Sequence, residues 1–199
     1  PLNANAQAWQ QLALRPRVLR PLQQLNTRIT LLNRPCPTPL LVAPMAHQQL
    51  LHPDAEAATA LAAASQGVGL VLSTQSSLSL EQVAHHYPRE AGGGPLWFQL
   101  YTLGDRGWLR ELMQRAAHAG YEALVLTVDA PVNGVRDRER RAGFTLPPGA
   151  SPAHYPPATT TDSNPWEQLL QQAPTWQDLQ WLLDNAPLPV LLKGITHPA

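Results

Sequence analysis

The sequence predicts an α/β fold, a (β/α)8 TIM barrel of which this chain supplies about five βα units after a short N-terminal extension. Three observations support this fold class. Five short runs are almost continuously apolar, helical patterns lie between them, and the runs end at nearly even spacing. Near-continuous apolar runs are typical of parallel strands buried on both faces. Alternation with helices is typical of a parallel sheet with right-handed crossovers.

Each apolar run ends on a small, polar or charged residue. The runs are PLLVAPMA (39–46), VGLVLST (68–74), PLWFQLY (95–101), EALVLTVD (122–129) and PVLLKG (189–194). The first four run ends recur about every 27 residues, which favours a barrel of regular βα units over a doubly wound sheet. No G-x-G-x-x-G motif follows the first run, which disfavours a dinucleotide-binding sheet.

Helical patterns occupy the intervals between the runs. Residues 54–67 are alanine-rich, residues 105–120 carry apolar side chains at helical spacing, and both segments close on a glycine. Shorter helices are predicted at 79–86 and 176–185. The GGG stretch that precedes the third run predicts a turn rather than a phosphate-binding loop, because it leads into a strand and not into a helix.

The predicted domain organisation has three parts. Residues 1–38 form an N-terminal extension with a short helix and turns, in which 15–32 is expected to pair as a small hairpin. Residues 39–199 form the partial barrel. Within it, 145–175 is rich in Pro, Thr and Ala and is expected to be a long irregular loop.

The composition excludes several classes of protein. Lys+Arg and Asp+Glu both count 14, so a partner held by bulk charge, such as nucleic acid, is not expected. No apolar run reaches the length that spans a bilayer, and the single cysteine rules out a disulfide within the chain. We therefore expect a cytoplasmic protein. His47 and His52 have no third ligand at convincing spacing, so no metal site is predicted.

Barrel enzymes carry their chemistry at the carboxyl ends of the strands. Here those ends supply polar side chains and, in the first run, a backbone segment that begins with proline. The backbone segment is Pro44, Met45 and Ala46, and the side chains are the hydroxyls of Ser73 and Thr127, the amide of Gln99, the phenol of Tyr101 and the ammonium of Lys193. Amide and hydroxyl groups both donate and accept hydrogen bonds, which suits a planar heterocycle with several carbonyls and ring nitrogens. A lysine can stabilise negative charge that develops on such a ring.

Several stretches closely resemble one enzyme family, the FMN-dependent 2-hydroxy-acid oxidases and dehydrogenases, which includes glycolate oxidase, lactate oxidase and flavocytochrome b2. They are APMAHQQLLHPDAE, LSTQSSLSLEQVA, GPLWFQLYTLGDR, AGYEALVLTVDAPVNGVRDRERR, WQDLQWLL and PVLLKGI, in family order and spacing. The FQLY and LTVD-x-P-x-x-G-x-R elements are the most specific of these. The resemblance covers nearly the whole chain and implies the N-terminal portion of such an enzyme.

The resemblance implies a role for each rim residue. Pro44, Met45 and Ala46 would contact FMN through backbone, and Ser73, Gln99 and Thr127 would hydrogen-bond its isoalloxazine ring. Lys193 would stabilise the reduced ring, Tyr101 would touch the substrate carboxylate or hydroxyl, and Arg136 would help bind the carboxylate. Tyr101, Arg136 and Lys193 are thus the candidate catalytic residues, and Asp129 would shape the loop that follows its strand.

The sequence lacks several features of the family: three of the eight barrel strands, the segments that hold the FMN phosphate, an early tyrosine and the catalytic histidine. The family's catalytic histidine lies in an H-G-G-R-like element, and none of the seven histidines matches it. We therefore expect a fragment that does not catalyse oxidation alone, taken from a full-length enzyme that is expected to form a homo-oligomer, such as a tetramer. Two alternatives stay open: a non-catalytic truncated product or partner-binding half barrel, and another kind of flavin-dependent barrel enzyme.

Overall fold

A computed structural model describes residues 2–21, 23, 25–88, 93–102, 105–130, 136–147, 150, 152–155 and 173–197. The helices are α1 (Leu2–Gln10), α2 (Ala55–Ser65), α3 (Leu80–His85), α4 (Arg106–His118), α5 (Asp137–Arg141) and α6 (Trp176–Asn185), with a 3-10 turn at Gln48–Leu50. The strands are β1 (Ile29–Leu31), β2 (Arg34–Cys36), β3 (Leu41–Val42), β4 (Gly69–Leu72), β5 (Leu96–Leu100), β6 (Ala123–Thr127) and β7 (Val190–Lys193).

The centre of the fold is a five-stranded parallel sheet in the order β3-β4-β5-β6-β7. Spatial order equals chain order, so each crossover leads to the neighbouring strand, which is the connectivity of a (β/α)8 barrel. The predicted fold class, a partial barrel, is confirmed. Every predicted apolar run contains one of these strands, although the first is short and its segment 44–46 leaves the sheet as coil.

The helices pack on one face of the sheet and bury the larger hydrophobic cluster. Alternate strand residues such as Leu72 and Phe98 meet helix residues such as Ala60, Val83 and Met113 in this cluster. Local signals fix where the helices begin. Capping boxes start α3 and α6, and a side-chain cap starts α4. Within the described ranges, no helix is both long and apolar enough to cross a membrane.

The opposite face of the sheet carries a smaller cluster, which is the interior of the partial barrel. It contains Val71, Trp97, Ala123 and Val125, with Leu31, Leu41 and Leu191 packed against it. Because Leu31 belongs to β1, the N-terminal hairpin contributes to the barrel interior. The hairpin lies at 29–36 rather than within 15–32, because Leu32 and Asn33 both adopt positive φ and form the two-residue turn that joins β1 to β2.

Arg34 ties this hairpin to the amino-terminal ends of two barrel strands. Its guanidinium pairs with Glu122 at 2.6 Å, just before β6, and donates to the carbonyl of Gly93 at 3.1 and 3.2 Å, just before β5. Next to Gly93, a Cβ on Gly94 would lie 2.2 Å from the backbone nitrogen of Gly69. Gly94 is therefore needed for close backbone approach between the segments that lead into β4 and β5.

Candidate functional site

The sequence-predicted rim residues share one face of the sheet. Ser73, Gln99, Thr127 and Lys193 each follow, by two positions, a residue that lies in or against the barrel-interior cluster. Because alternate residues of a strand face the same side, all four side chains belong to the interior face, at its carboxyl end. Parallel pairing sets Thr127 directly beside Lys193. The sheet therefore assembles on one rim the groups that the sequence scatters over 120 residues.

Gln99 is the centre of a buried hydrogen-bond network at this rim. Its side-chain oxygen accepts from the Ser73 hydroxyl at 3.3 Å and from the Thr74 amide at 3.2 Å. Its side-chain nitrogen donates to the Thr127 hydroxyl at 3.0 Å and to the carbonyl of Leu100 at 2.9 Å. With Gln99 only 1% exposed, these four bonds use the full capacity of its amide and fix its orientation.

This network leaves particular groups available for a ligand. The Thr127 hydroxyl accepts from Gln99, so its own proton can be donated. Lys193 is the residue paired with Thr127 on the next strand, and its side chain is 43% exposed. Among the described residues, no hydrogen bond involves the backbone N–H and C=O groups of Met45 and Ala46. The rim thus offers donors and open backbone to a ligand that has several acceptors.

Lys193 pairs with Asp129, which the sequence analysis had assigned only to loop shaping. The distance from Nζ to Oδ1 is 3.6 Å, and both side chains are partly exposed. Gly194 makes this approach possible, because a Cβ there would lie 2.5 Å from Cβ and Cγ of Asp129. Gly194 also has φ +108, which side chains rarely adopt. Steric crowding by Asp129 and the positive φ therefore explain why a glycine follows Lys193 at the end of β7.

The backbone segment 44–46 is held to the rim from its carboxyl side. The amide of His47 donates to the carbonyl of Gln75 at 3.0 Å, and the Gln75 amide donates to the Ser73 hydroxyl at 3.0 Å. Glu56 reinforces this link from α2. Its buried carboxylate accepts from the amides of Gln48, Ser77 and Leu78 at 3.2, 2.9 and 3.2 Å. One carboxylate thus joins the loops that follow β3 and β4.

Tyr101 and Arg136, the predicted substrate-binding pair, take no part in the hydrogen bonds described for this network. Burial raises the pKa of the Tyr101 phenol, and Tyr155 and Asp129 raise it further while Arg136 lowers it. The phenol therefore stays protonated at neutral pH and can donate. Arg136 stands at the start of α5, is largely exposed, and pairs with Glu139 at 3.4 Å. The structure does not bring its guanidinium into contact with the Gln99 network.

Sequence reasoning missed two buried polar residues beside the rim, Glu56 and His154, which are 1% and 2% exposed. Glu56 stands in the first turn of α2, where the helix dipole favours an acidic residue. The sequence therefore did not indicate that its carboxylate binds three amides of other segments. His154 lies in the segment predicted as an irregular loop. Of that loop, the structure describes 145–147, 150, 152–155 and 173–175, and the remainder lies outside the described residues.

The donor set fits a planar heterocycle. Lys193 and Thr127 present donors side by side, Gln99 is locked behind them, and backbone that makes no hydrogen bond within the described chain borders the same rim at 44–46. A ring with carbonyl oxygens and ring nitrogens could accept from these donors along one edge. A negative charge on that edge would be stabilised by the ammonium of Lys193.

Comparisons with known proteins identify the family of this chain. The chain matches the FMN-dependent dehydrogenase family over residues 1–199. It is 46% identical over 204 residues to an L-lactate oxidase from Nostoc sp., covering 98% of this chain and 56% of that protein. It is 39% identical over 202 residues to 4-hydroxymandelate oxidase from Amycolatopsis orientalis, covering 98% and 55%.

Solved structures give the same result. A mandelate oxidase with benzoyl-formic acid superposes with a TM-score of 0.83 at 38% identity, covering 98% of this chain and 53% of that one. The chain spans about half the length of the curated relatives it matches. The family match extends over every residue and agrees with the barrel connectivity, which confirms the resemblance drawn from the sequence. This chain belongs to the FMN-dependent dehydrogenase family.

Proposed function

We propose that this chain forms the flavin-edge half of an FMN-dependent enzyme that oxidises a 2-hydroxy acid to a 2-oxo acid. The observation that carries the proposal is the buried Ser73–Gln99–Thr127 chain with the Lys193 ammonium beside it, at the carboxyl rim of a partial barrel. The related L-lactate and 4-hydroxymandelate oxidases act on 2-hydroxy acids of different size. These relatives support the substrate class and leave the substrate side chain open.

Each rim residue has a defined part in this proposal. When bound, FMN supplies the redox chemistry by taking up the two electrons that leave the substrate. Thr127 donates to the ring with its hydroxyl proton, and the fully hydrogen-bonded Gln99 fixes the orientation of that hydroxyl. Lys193 stabilises negative charge on the adjacent ring edge. Ser73 holds Gln99, and the backbone of 44–46 borders the ring.

Substrate binding is assigned to Tyr101 and Arg136. The protonated phenol of Tyr101 donates to the substrate carboxylate or hydroxyl, consistent with its raised pKa. Arg136 would leave its ion pair with Glu139 and bind the carboxylate with its guanidinium. The general base that accepts the substrate proton is not assigned to any histidine of this chain. We propose that it belongs to the half of the relatives' length that this chain does not match.

Flavin binding and turnover test the proposal. The purified chain is titrated with FMN and followed by flavin fluorescence, and Gln99→Ala and Lys193→Met serve as site variants. We expect saturable binding that each variant weakens at least about tenfold, because Lys193→Met removes a donor to the ring and Gln99→Ala releases the Thr127 hydroxyl that donates to it. The continuous reading frame beyond the codon for Ala199 is then expressed and assayed for 2-oxo acid formation. A purified product without flavin absorbance would refute the proposal.

A second candidate function, a half barrel that binds a partner chain, is favoured by one specific observation. A groove of about 220 Å³ lies beside β7, lined by apolar residues that include Leu192, Ile195 and the 76% exposed Trp176. Within the described chain, no strand pairs with the outer edge of β7. An open parallel edge beside apolar side chains favours association. Light scattering of the chain as it is isolated from its source separates the candidates, because a stable assembly with a second chain and without flavin would favour this one. The oligomeric state and the cytoplasmic location of the full protein stay predictions.

A further inference from the structure

A short segment from the chain between β6 and β7 is bound to the loop that follows β4. The amide of Ala153 donates to the carbonyl of Ser76 at 2.9 Å. The ring of His154 lies between the Ser76 hydroxyl, 3.2 Å from Nδ1, and the Leu80 amide, 2.7 Å from Nε2. Its edge-to-face partner is Phe98, with ring centroids 5.4 Å apart. We call residues 152–155 the clasp.

The partners of His154 determine its protonation state. A backbone amide can only donate, so Nε2 accepts from Leu80 and the proton resides on Nδ1. Nδ1–H then donates to the Ser76 hydroxyl, which donates to the carbonyl of Leu78 at 2.8 Å. Burial, helped by the nearby Arg115, lowers the pKa of His154 to about 4, and the backbone of Thr74, Glu81 and Glu56 only partly oppose this shift. His154 is therefore a neutral, fully hydrogen-bonded anchor.

The clasp carries Tyr155 to the rim. The Gln75 side-chain nitrogen donates to the Tyr155 hydroxyl, so the phenol oxygen accepts and its proton stays available. Gln75 is itself fixed to the rim, because its amide donates to Ser73 and its carbonyl accepts from His47. Tyr155 also acts electrostatically on Tyr101, whose pKa it helps to raise. Tyr155 is 42% exposed and can reach a ligand.

We infer that Tyr155 is a further substrate-binding residue, which donates a hydrogen bond to the carboxylate of the 2-hydroxy acid, and that His154 is the residue that positions it. This inference rests on the proposed function for the identity of the substrate. The chemistry is that of two phenol donors, Tyr101 and Tyr155, which converge on one anion. Gln75 orients the second donor, and the buried imidazole holds the segment that carries it.

Oxalate, a dicarboxylate that cannot be oxidised at a hydroxyl-bearing carbon, is the probe. Tyrosines labelled at Cζ are followed by NMR in the complete chain during an oxalate titration, with and without FMN. The chain has four tyrosines. Tyr87 and Tyr121 are buried and donate to the carbonyls of Val68 and Leu80, so their signals serve as internal controls. Tyr155→Phe assigns one signal and removes only the hydroxyl.

We expect oxalate to shift the Tyr101 and Tyr155 signals together and to bind at least about tenfold more weakly to Tyr155→Phe, because one hydrogen bond to a charged group is lost. His154→Gln should abolish the Tyr155 response while Tyr101 still responds. A change that only affected stability would not separate the two signals. If this variant fails to fold, Ser76→Ala removes the acceptor of Nδ1–H and replaces it in the test.

Three outcomes decide the matter. Equal oxalate affinity in the wild type and Tyr155→Phe would overturn the inference, and so would an oxalate response at neither tyrosine. A paired response of Tyr101 and Tyr155 in a chain that does not bind FMN would support the carboxylate site and overturn the proposed flavin function. The two hypotheses therefore fail on different measurements.

Discussion

Replacing Glu56 by glutamine tests whether one buried carboxylate joins the loops after β3 and β4. Oε1 accepts from the amides of Gln48 and Ser77, and Oε2 accepts from the amide of Leu78. Glutamine keeps the shape of the side chain but has only one oxygen. If that oxygen occupies the Oε1 position, the NH₂ group faces the Leu78 N–H, so two donors oppose each other.

The expected loss in the free energy of unfolding follows from these hydrogen bonds. A hydrogen bond to a charged group contributes about 1.5–3 kcal/mol, and a buried amide left without an acceptor costs about 1–3 kcal/mol. Glu56→Gln should therefore lower the free energy of unfolding by about 3 kcal/mol, which is a large part of the roughly 5–15 kcal/mol of an ordinary domain. The loss should also weaken FMN binding, because the loops that carry residues 44–46 and Ser73 lose their common acceptor.

Urea unfolding of the chain, followed by tryptophan fluorescence, measures the effect. The matched control is Glu111→Gln on the exposed side of α4, which should change stability by no more than about 0.5 kcal/mol. Both variants remove one negative charge and keep the side-chain length. If the two variants have the same midpoint and slope, the carboxylate does not hold the loops and the argument fails.

Three further predictions concern other parts of the fold. Arg34→Ala should lower the free energy of unfolding by about 2 kcal/mol, because the hairpin loses its bonds to Glu122 and Gly93. Arg34→Lys should recover only part of this loss, since an ammonium cannot reproduce the planar set of guanidinium donors, and urea unfolding of both variants measures the difference. Gly194→Ala should destabilise the chain by about 2 kcal/mol and displace Asp129, whereas Gly143→Ala, which also has positive φ but open space, should cost about 1 kcal/mol; equal losses would contradict the steric argument. His154 has a pKa of about 4 when folded and an ordinary value near 6.5, so the unfolded chain binds more protons between these values and stability falls as pH drops from about 6.5 to about 4, by at most about 3 kcal/mol. His154→Gln should remove that part of the pH slope, and an unchanged slope would contradict this assignment.

The fold could be predicted largely because its signals are local. The parallel strands read as apolar runs since each is buried on two faces, and the helix boundaries follow caps such as Ser79 and Thr175. The hairpin was predicted too early in the chain, because the turn at Leu32–Asn33 carries a leucine at positive φ, which no sequence rule favours.

The site could be predicted in part. Ser73, Gln99, Thr127 and Lys193 were identified because strand ends meet at one rim in any parallel barrel. The clasp could not be predicted, since the pairing of His154 with Ser76 joins residues far apart in a segment without periodicity. The roles of the rim residues toward FMN and substrate stay predictions, which the binding and turnover experiments test.

By itself, the sequence determined which segments become strands and helices, and which strand ends carry polar groups, because burial and capping are encoded over a few neighbouring residues. Only the tertiary structure decided how those groups share hydrogen bonds. The Gln99 amide makes all of its hydrogen bonds within the protein, and the Glu56 carboxylate binds amides of two loops. Gly194 leaves the space in which Asp129 approaches Lys193. The physical reason is that each of these depends on distances between segments that the chain brings together only when the sheet forms.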